Sequence, residues 1–84
     1  MRIYMQSPVL DGRAPRFFQL LLQKDLLEGW LLVSETGQQG QRGRVKQIYF
    51  QTREEAEAEL LKLRDEQLAK GFRVVFLQGA VDGR

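Results

Sequence analysis

The sequence predicts an α+β domain: a small antiparallel sheet packed on one helix, in the order β-β-β-α-β, with room for an extra strand at the N-terminus. Three observations carry this. Strand-like segments recur at residues 16–23, 30–35 and 44–51, with apolar and polar residues alternating in the first and third, as half-buried strands require. Residues 52–71 then switch to apolar spacings of three and four, the period of a helix with one buried stripe. The chain has 84 residues, enough for one domain with one core, since domains of about 60 residues fold alone. A single helix over one face of such a sheet makes a two-layer domain.

Residues 3–6 suit a short first strand. Residues 7–15 hold Pro8, Asp11-Gly12 and Pro15 and read as a loop. In the next strand Phe18, Leu20 and Leu22 share one face, and Gln19 and Gln23 the other. Phe17 and Leu21 fall on that second face, open to a partner or packed under the N-terminal loop. A turn at residues 26–29 leads into the strand that starts at Trp30, making an antiparallel hairpin. Ile48 and Phe50 of the third of these strands share a face with Lys46 and are expected to point inward, unless a bulge after Lys46 changes the phase.

Thr52 with Glu55 three residues later forms a capping box at the helix start. Glu54, Glu55 and Glu57 suit the positive end of the helix dipole. Ala56, Leu60, Leu61, Leu63 and Leu68 form the apolar stripe, and Gly71 takes the position after the C-cap. A last strand at residues 72–77 should place Phe72, Val74 and Phe76 on one face. The domain spans residues 1–84 with a core at about 16–77, and residues 78–84 read as a flexible tail.

Composition excludes several classes. With 43% hydrophobic and 29% charged residues, a folded domain is expected rather than a disordered one. There is no cysteine and no histidine, so thiolate metal sites, disulfides and histidine-based catalysis are absent. No enzymatic activity and no cofactor are expected. The carboxylates crowded at the helix start read as caps and solubilising charge rather than as a metal or acid–base site. No apolar run approaches the ~20 residues that span a bilayer, and no secretory signal opens the chain, so a cytoplasmic monomer is expected. The net charge is only +2, but it is uneven. Residues 1–52 carry seven cations against four anions, and residues 53–71 four cations against six anions.

The densest signal is the stretch 36–46, T-G-Q-Q-G-Q-R-G-R-V-K. Gly37, Gly40 and Gly43 recur at every third position, and Arg42, Arg44 and Lys46 alternate after them. No acidic residue falls between Thr36 and Gln51. Glycines let the backbone turn tightly and approach a ligand, and alternate strand positions share a face. A glycine loop running into a one-sided cationic strand suits a polyanion such as nucleic-acid phosphate. It is equally a polar hairpin with solvated charges. The loop is not a P-loop, because no Lys-Ser or Lys-Thr comes after its last glycine. Trp30 reads as a core anchor. Tyr49 is a candidate for stacking on bases beside the cations.

Taken together, these segments resemble the WGR domain, a family named for a Trp-Gly-Arg motif and found in poly(ADP-ribose) polymerases and small bacterial proteins. The resemblance runs from Phe17 to Phe76. It rests on F-F-Q-L-L-L-Q at residues 17–23, G-W-L-L-V at 29–33, the glycine loop, G-R-V at 43–45, F-Q-T-R-E-E-A at 50–56 and K-G-F at 70–72. It implies DNA binding through the motif loop. The motif itself departs from the family: Thr36 stands where Trp is usual and Gln38 where Arg is usual. Gln cannot copy the charge-assisted, bidentate phosphate contact of Arg.

The expected function is a non-catalytic module that binds DNA or RNA phosphates without sequence preference. Gly37, Gln38, Gly40, Arg42, Arg44 and Lys46 would form the site, with Arg13 and Arg16 as helpers. The alternative is a protein-interaction module that docks to a partner domain or to itself.

Overall fold

The computed structural model describes residues 1–9 and 12–79. Its elements are β1 (Arg2–Gln6), β2 (Arg16–Lys24), β3 (Trp30–Gln38), β4 (Arg44–Phe50), α1 (Arg53–Ala69) and β5 (Arg73–Gln78). The optional N-terminal strand is therefore real. The five strands form one antiparallel sheet in the order β4-β3-β2-β1-β5. β1 to β4 run as a meander, each strand beside the last. α1 then crosses back over the sheet and delivers β5 to the free edge of β1.

The alternation in β2 sorts the two faces. Phe18, Leu20 and Leu22 join Ile3 and Met5 of β1 and Leu32 of β3 in the core, closed from above by Ala56 and Leu60 of α1. Trp30, Phe50 and Phe72 pack around this cluster, half-buried. Burying a side chain such as Leu60 completely contributes about 1.5–3 kcal/mol. Phe50 and Ile48 lie on the helix side as expected, and the β3–β4 register runs unbroken from Trp30↔Phe50 to Thr36↔Arg44. No bulge interrupts β4 after Lys46.

The bulge lies elsewhere. Between β1 and β5, Met5 faces Val74 while Tyr4 faces Phe76, so Val75 is the extra residue. An extra residue flips the phase of the strand beyond it. Val74 and Phe76 therefore point to opposite faces, not to one face as the alternation implies, and Phe72 precedes the strand.

Both ends of α1 are capped, the first by the Thr52 half of the expected capping box. The Thr52 hydroxyl accepts the Glu55 N–H at 3.1 Å. At the far end Gly71 has φ 96°. Its N–H donates to the Leu68 carbonyl, and the Phe72 N–H donates to the Gln67 carbonyl, both at 3.0 Å, a Schellman closure. The stripe is narrower than predicted. Leu61 and Leu63 are half-buried and Leu68 is exposed. Leu68 stands one residue from the end of α1, about two turns beyond Leu60 and past the residues that pack on the core. Of the tail expected at residues 78–84, Gln78 still belongs to β5, and residues 80–84 lie outside the described residues, as does Asp11 of the N-terminal loop.

Leu60→Ala should cost about 2–5 kcal/mol by opening a cavity in this core. Thr52→Ala should cost about 0.5–2 kcal/mol through loss of the cap. Urea unfolding monitored by circular dichroism checks both. A Leu60 variant as stable as the wild type would mean that α1 does not close the core.

Candidate nucleic-acid interface

The link from β3 to β4 is folded onto the sheet rather than held out in solvent. The Gln39 N–H donates to the Pro15 carbonyl at 2.9 Å, and the Gln41 N–H closes a turn on the Gln38 carbonyl at 3.0 Å. Gly40 is the third residue of that turn, with φ 85°, as a type II turn requires. The Gln39 side-chain amide donates to the Tyr4 hydroxyl. The Tyr4 ring stacks on Phe17, with centroids 6.1 Å apart.

Phe17 is consequently buried, and it explains the other two glycines. A Cβ on Gly37 would lie 2.9 Å from the Gly43 Cα and 3.1 Å from the Phe17 ring. A Cβ on Gly43 would lie 2.9 Å from that ring and 2.8 Å from the Glu35 side chain. Packing alone therefore demands glycine at these two positions. Gly37 and Gly43 let two backbone segments close over an aromatic ring. Phe17 is correspondingly not a free docking residue.

The opposite face of the same segment carries the charge. Arg16 lies two residues before Phe18, and Arg44 pairs with Thr36, so both fall on the helix side of the sheet. α1 covers Phe50 and Ile48 but leaves this end open. Arg16, Arg42 and Arg44 line an open cleft of about 590 Å³, together with Thr36, Gly37, Gln38, Gln41 and Gly43. The ion pairs among the described residues, Arg53–Glu57 and Arg64–Asp65, involve helix residues alone. The three cleft arginines remain available to an anion.

Five of the eight residues singled out in the sequence are thus brought together: Gly37, Gln38, Arg42, Arg44 and Arg16. Gly40 shapes the turn without lining the cleft. Arg13 lies exposed in the N-terminal loop, apart from the cleft. Lys46, two residues along β4, lines an adjoining smaller pocket with Arg44. Thr36, Gln41 and Gly43 also line the cleft. The strand period could have pointed to Thr36, which shares a face with Gln38.

The two aromatic candidates separate. Trp30 is half-buried at the helix start, and the Arg53 guanidinium lies 5.4 Å from its ring centroid, so it is a core anchor. Tyr49 is 63% exposed, but it sits one position out of phase with Arg44 and Lys46. It points to the opposite face of the sheet from the cleft.

Fold and cleft together define a small α+β domain that presents a cationic surface at one end of its sheet. The chain belongs to the WGR domain family, whose sequence profile matches residues 1–76. The match includes β1, ahead of the Phe17 at which the motif resemblance begins. WGR domains are associated with nucleic-acid binding in poly(ADP-ribose) polymerases and related proteins. No characterised protein and no solved structure matches the chain significantly. No helix among the described residues is long and apolar enough to cross a membrane.

Gly37→Ala should destabilise the domain by about 1–3 kcal/mol, because its new methyl meets backbone that cannot step aside. Gly40→Ala meets open space and should cost only the strain of a positive φ, about 1–2 kcal/mol. Urea midpoints for the two variants check the order. If Gly40→Ala proves the costlier, the loop does not pack on Phe17 as described.

Proposed function

We propose that this chain is a non-catalytic nucleic-acid-binding module that grips phosphates through Arg16, Arg42 and Arg44. The observation that carries this reading is the convergence of three arginines from β2, the loop and β4 on one open cleft, none of them in an ion pair among the described residues. Arginine is suited to phosphate because its planar fork donates two hydrogen bonds at once. The cleft offers charge with little shape, so it holds a backbone in place without reading its sequence. Gln38 and Gln41 add neutral donors that a phosphate oxygen accepts. The arginines supply the charge that Gln38 lacks relative to the family motif. An open, solvated cleft without histidine or cysteine also favours binding over catalysis.

Each phosphate neutralised releases condensed counterions, so three contacts give a salt slope of about −2.7 on duplex DNA and about −2 on a single strand. Affinity near physiological salt should be weak, in the range of ~10–100 μM typical of small non-specific sites. Arg42→Glu with Arg44→Glu should abolish binding and leave the melting curve unchanged, because both side chains are exposed. Fluorescence anisotropy at two salt concentrations checks slope and loss together. A wild-type domain that binds no nucleic acid at low salt would sink the reading.

A protein-interaction role has one specific observation behind it. Val74, Val75, Phe76 and Leu77 on the edge strand β5 are each 43–57% exposed. An edge with four adjacent apolar side chains is a ready template for a further strand, although the bulge at Val75 disturbs its register. If β5 is an interface, Val75→Lys should dissolve a dimer seen by sedimentation of the wild type. A wild type that sediments as a monomer at high concentration excludes self-association through this edge.

A further inference from the structure

The smaller pocket beside the arginine cleft is left unused by phosphate binding. It lies between β4 and α1, has a volume of about 220 Å³, and shares Thr36 and Arg44 with the cleft. Its apolar side is formed by Phe18, Ile48 and Leu63, of which Phe18 is buried and the other two half-buried. Ser34, Glu59 and Lys46 supply the polar groups. This volume equals about seven waters at the ~30 Å³ each takes in the liquid. It falls below the ~300 Å³ at which drug-sized sites begin. One ring system fits it, whereas a stacked base pair does not.

A pocket that is apolar within, hydrogen-bonding at its rim and continuous with an arginine cleft matches one chemical object: a nucleotide unit with its base turned out of any stack. We propose that this pocket takes a single unpaired base while the adjoining phosphates lie on Arg16, Arg42 and Arg44, so that the domain prefers single-stranded nucleic acid to duplex. The inference rests on the phosphate-binding reading above and gives it a substrate class.

The rim also sets a base preference. The Glu59 carboxylate offers acceptor oxygens. It suits the exocyclic amino group of cytosine, a pairing that carboxylates make with that base elsewhere. Thymine, of similar size, presents a carbonyl oxygen at the same place, and two acceptors repel. With that edge of the base turned to Glu59 and away from the Lys46 and Arg44 donors, cytosine should be held better than thymine.

The test uses the whole chain and four labelled probes of equal length at low salt: oligodeoxycytidine, oligodeoxythymidine, an abasic strand with the same phosphates, and a duplex. Wild type should bind the cytidine strand about tenfold more tightly than the abasic one, the usual worth of one accommodated base. The thymidine strand should fall between them and the duplex near the abasic strand. Leu63→Trp should fill the pocket and bring the cytidine strand down to the abasic level. Unchanged abasic binding by that variant reports that it is folded. Glu59→Gln should erase the cytidine-over-thymidine preference. Equal binding of base-bearing and abasic strands by the wild type overturns the pocket assignment and leaves the phosphate cleft standing. No binding of any strand overturns both.

Discussion

One helix has to cover five strands, and it cannot. α1 has 17 residues, about 25 Å of length at 1.5 Å per residue, but with its side chains it is only about 10–12 Å wide. The sheet is about 19 Å across from β4 to β5 at ~4.8 Å per strand spacing, and its longest strands reach ~30 Å. The helix therefore rests where burial is densest, with Ala56 and Leu60 over Leu20, Leu32, Ile3 and Met5. Everything distinctive about the surface derives from the area this placement leaves bare. The arginine cleft occupies the end of β2, β3 and β4 that the helix does not reach. The exposed β5 occupies the edge that it does not reach.

The uncovered face of the sheet is managed by a second device. Phe17 lies on that face, where solvent would otherwise meet its ring. The glycine loop folds over it, with Tyr4 stacked beside it. This closure ties cationic surface and stability together. The backbone that carries Gly37 and Gly43 closes on Phe17 on one side and lines the cleft on the other. The loop is held by Phe17, Tyr4 and Pro15 before any ligand arrives, so less ordering entropy is lost on binding than a free loop would lose.

The charges and the hydrophobic surface are also placed to different ends. Arg44 and Lys46 sit on the edge strand β4, where cations discourage further strand pairing. β5, the other edge, has Arg73 at its start and then four apolar residues. The two edges of one sheet are thus chemically unlike.

The alternation of Phe18, Leu20 and Leu22, the Thr52 cap and the Gly71 closure were legible in the sequence because they are local: strand period and capping depend on neighbours a few residues away. They determined β2, the limits of α1 and the face that forms the core. Arg16, Arg42 and Arg44 were legible as cations near a glycine loop, but their convergence was not. It depends on the β2–β3–β4 register, which brings Arg16 beside Gln38 and Arg44 beside Thr36. The bulge at Val75, the burial of Phe17 and the exposure of Leu68 were decided by tertiary packing alone. So was the pocket that joins Glu59 and Leu63 of the helix to Lys46 and Ile48 of β4. The sequence holds those residues well apart, and only the crossing of α1 over the sheet makes them neighbours.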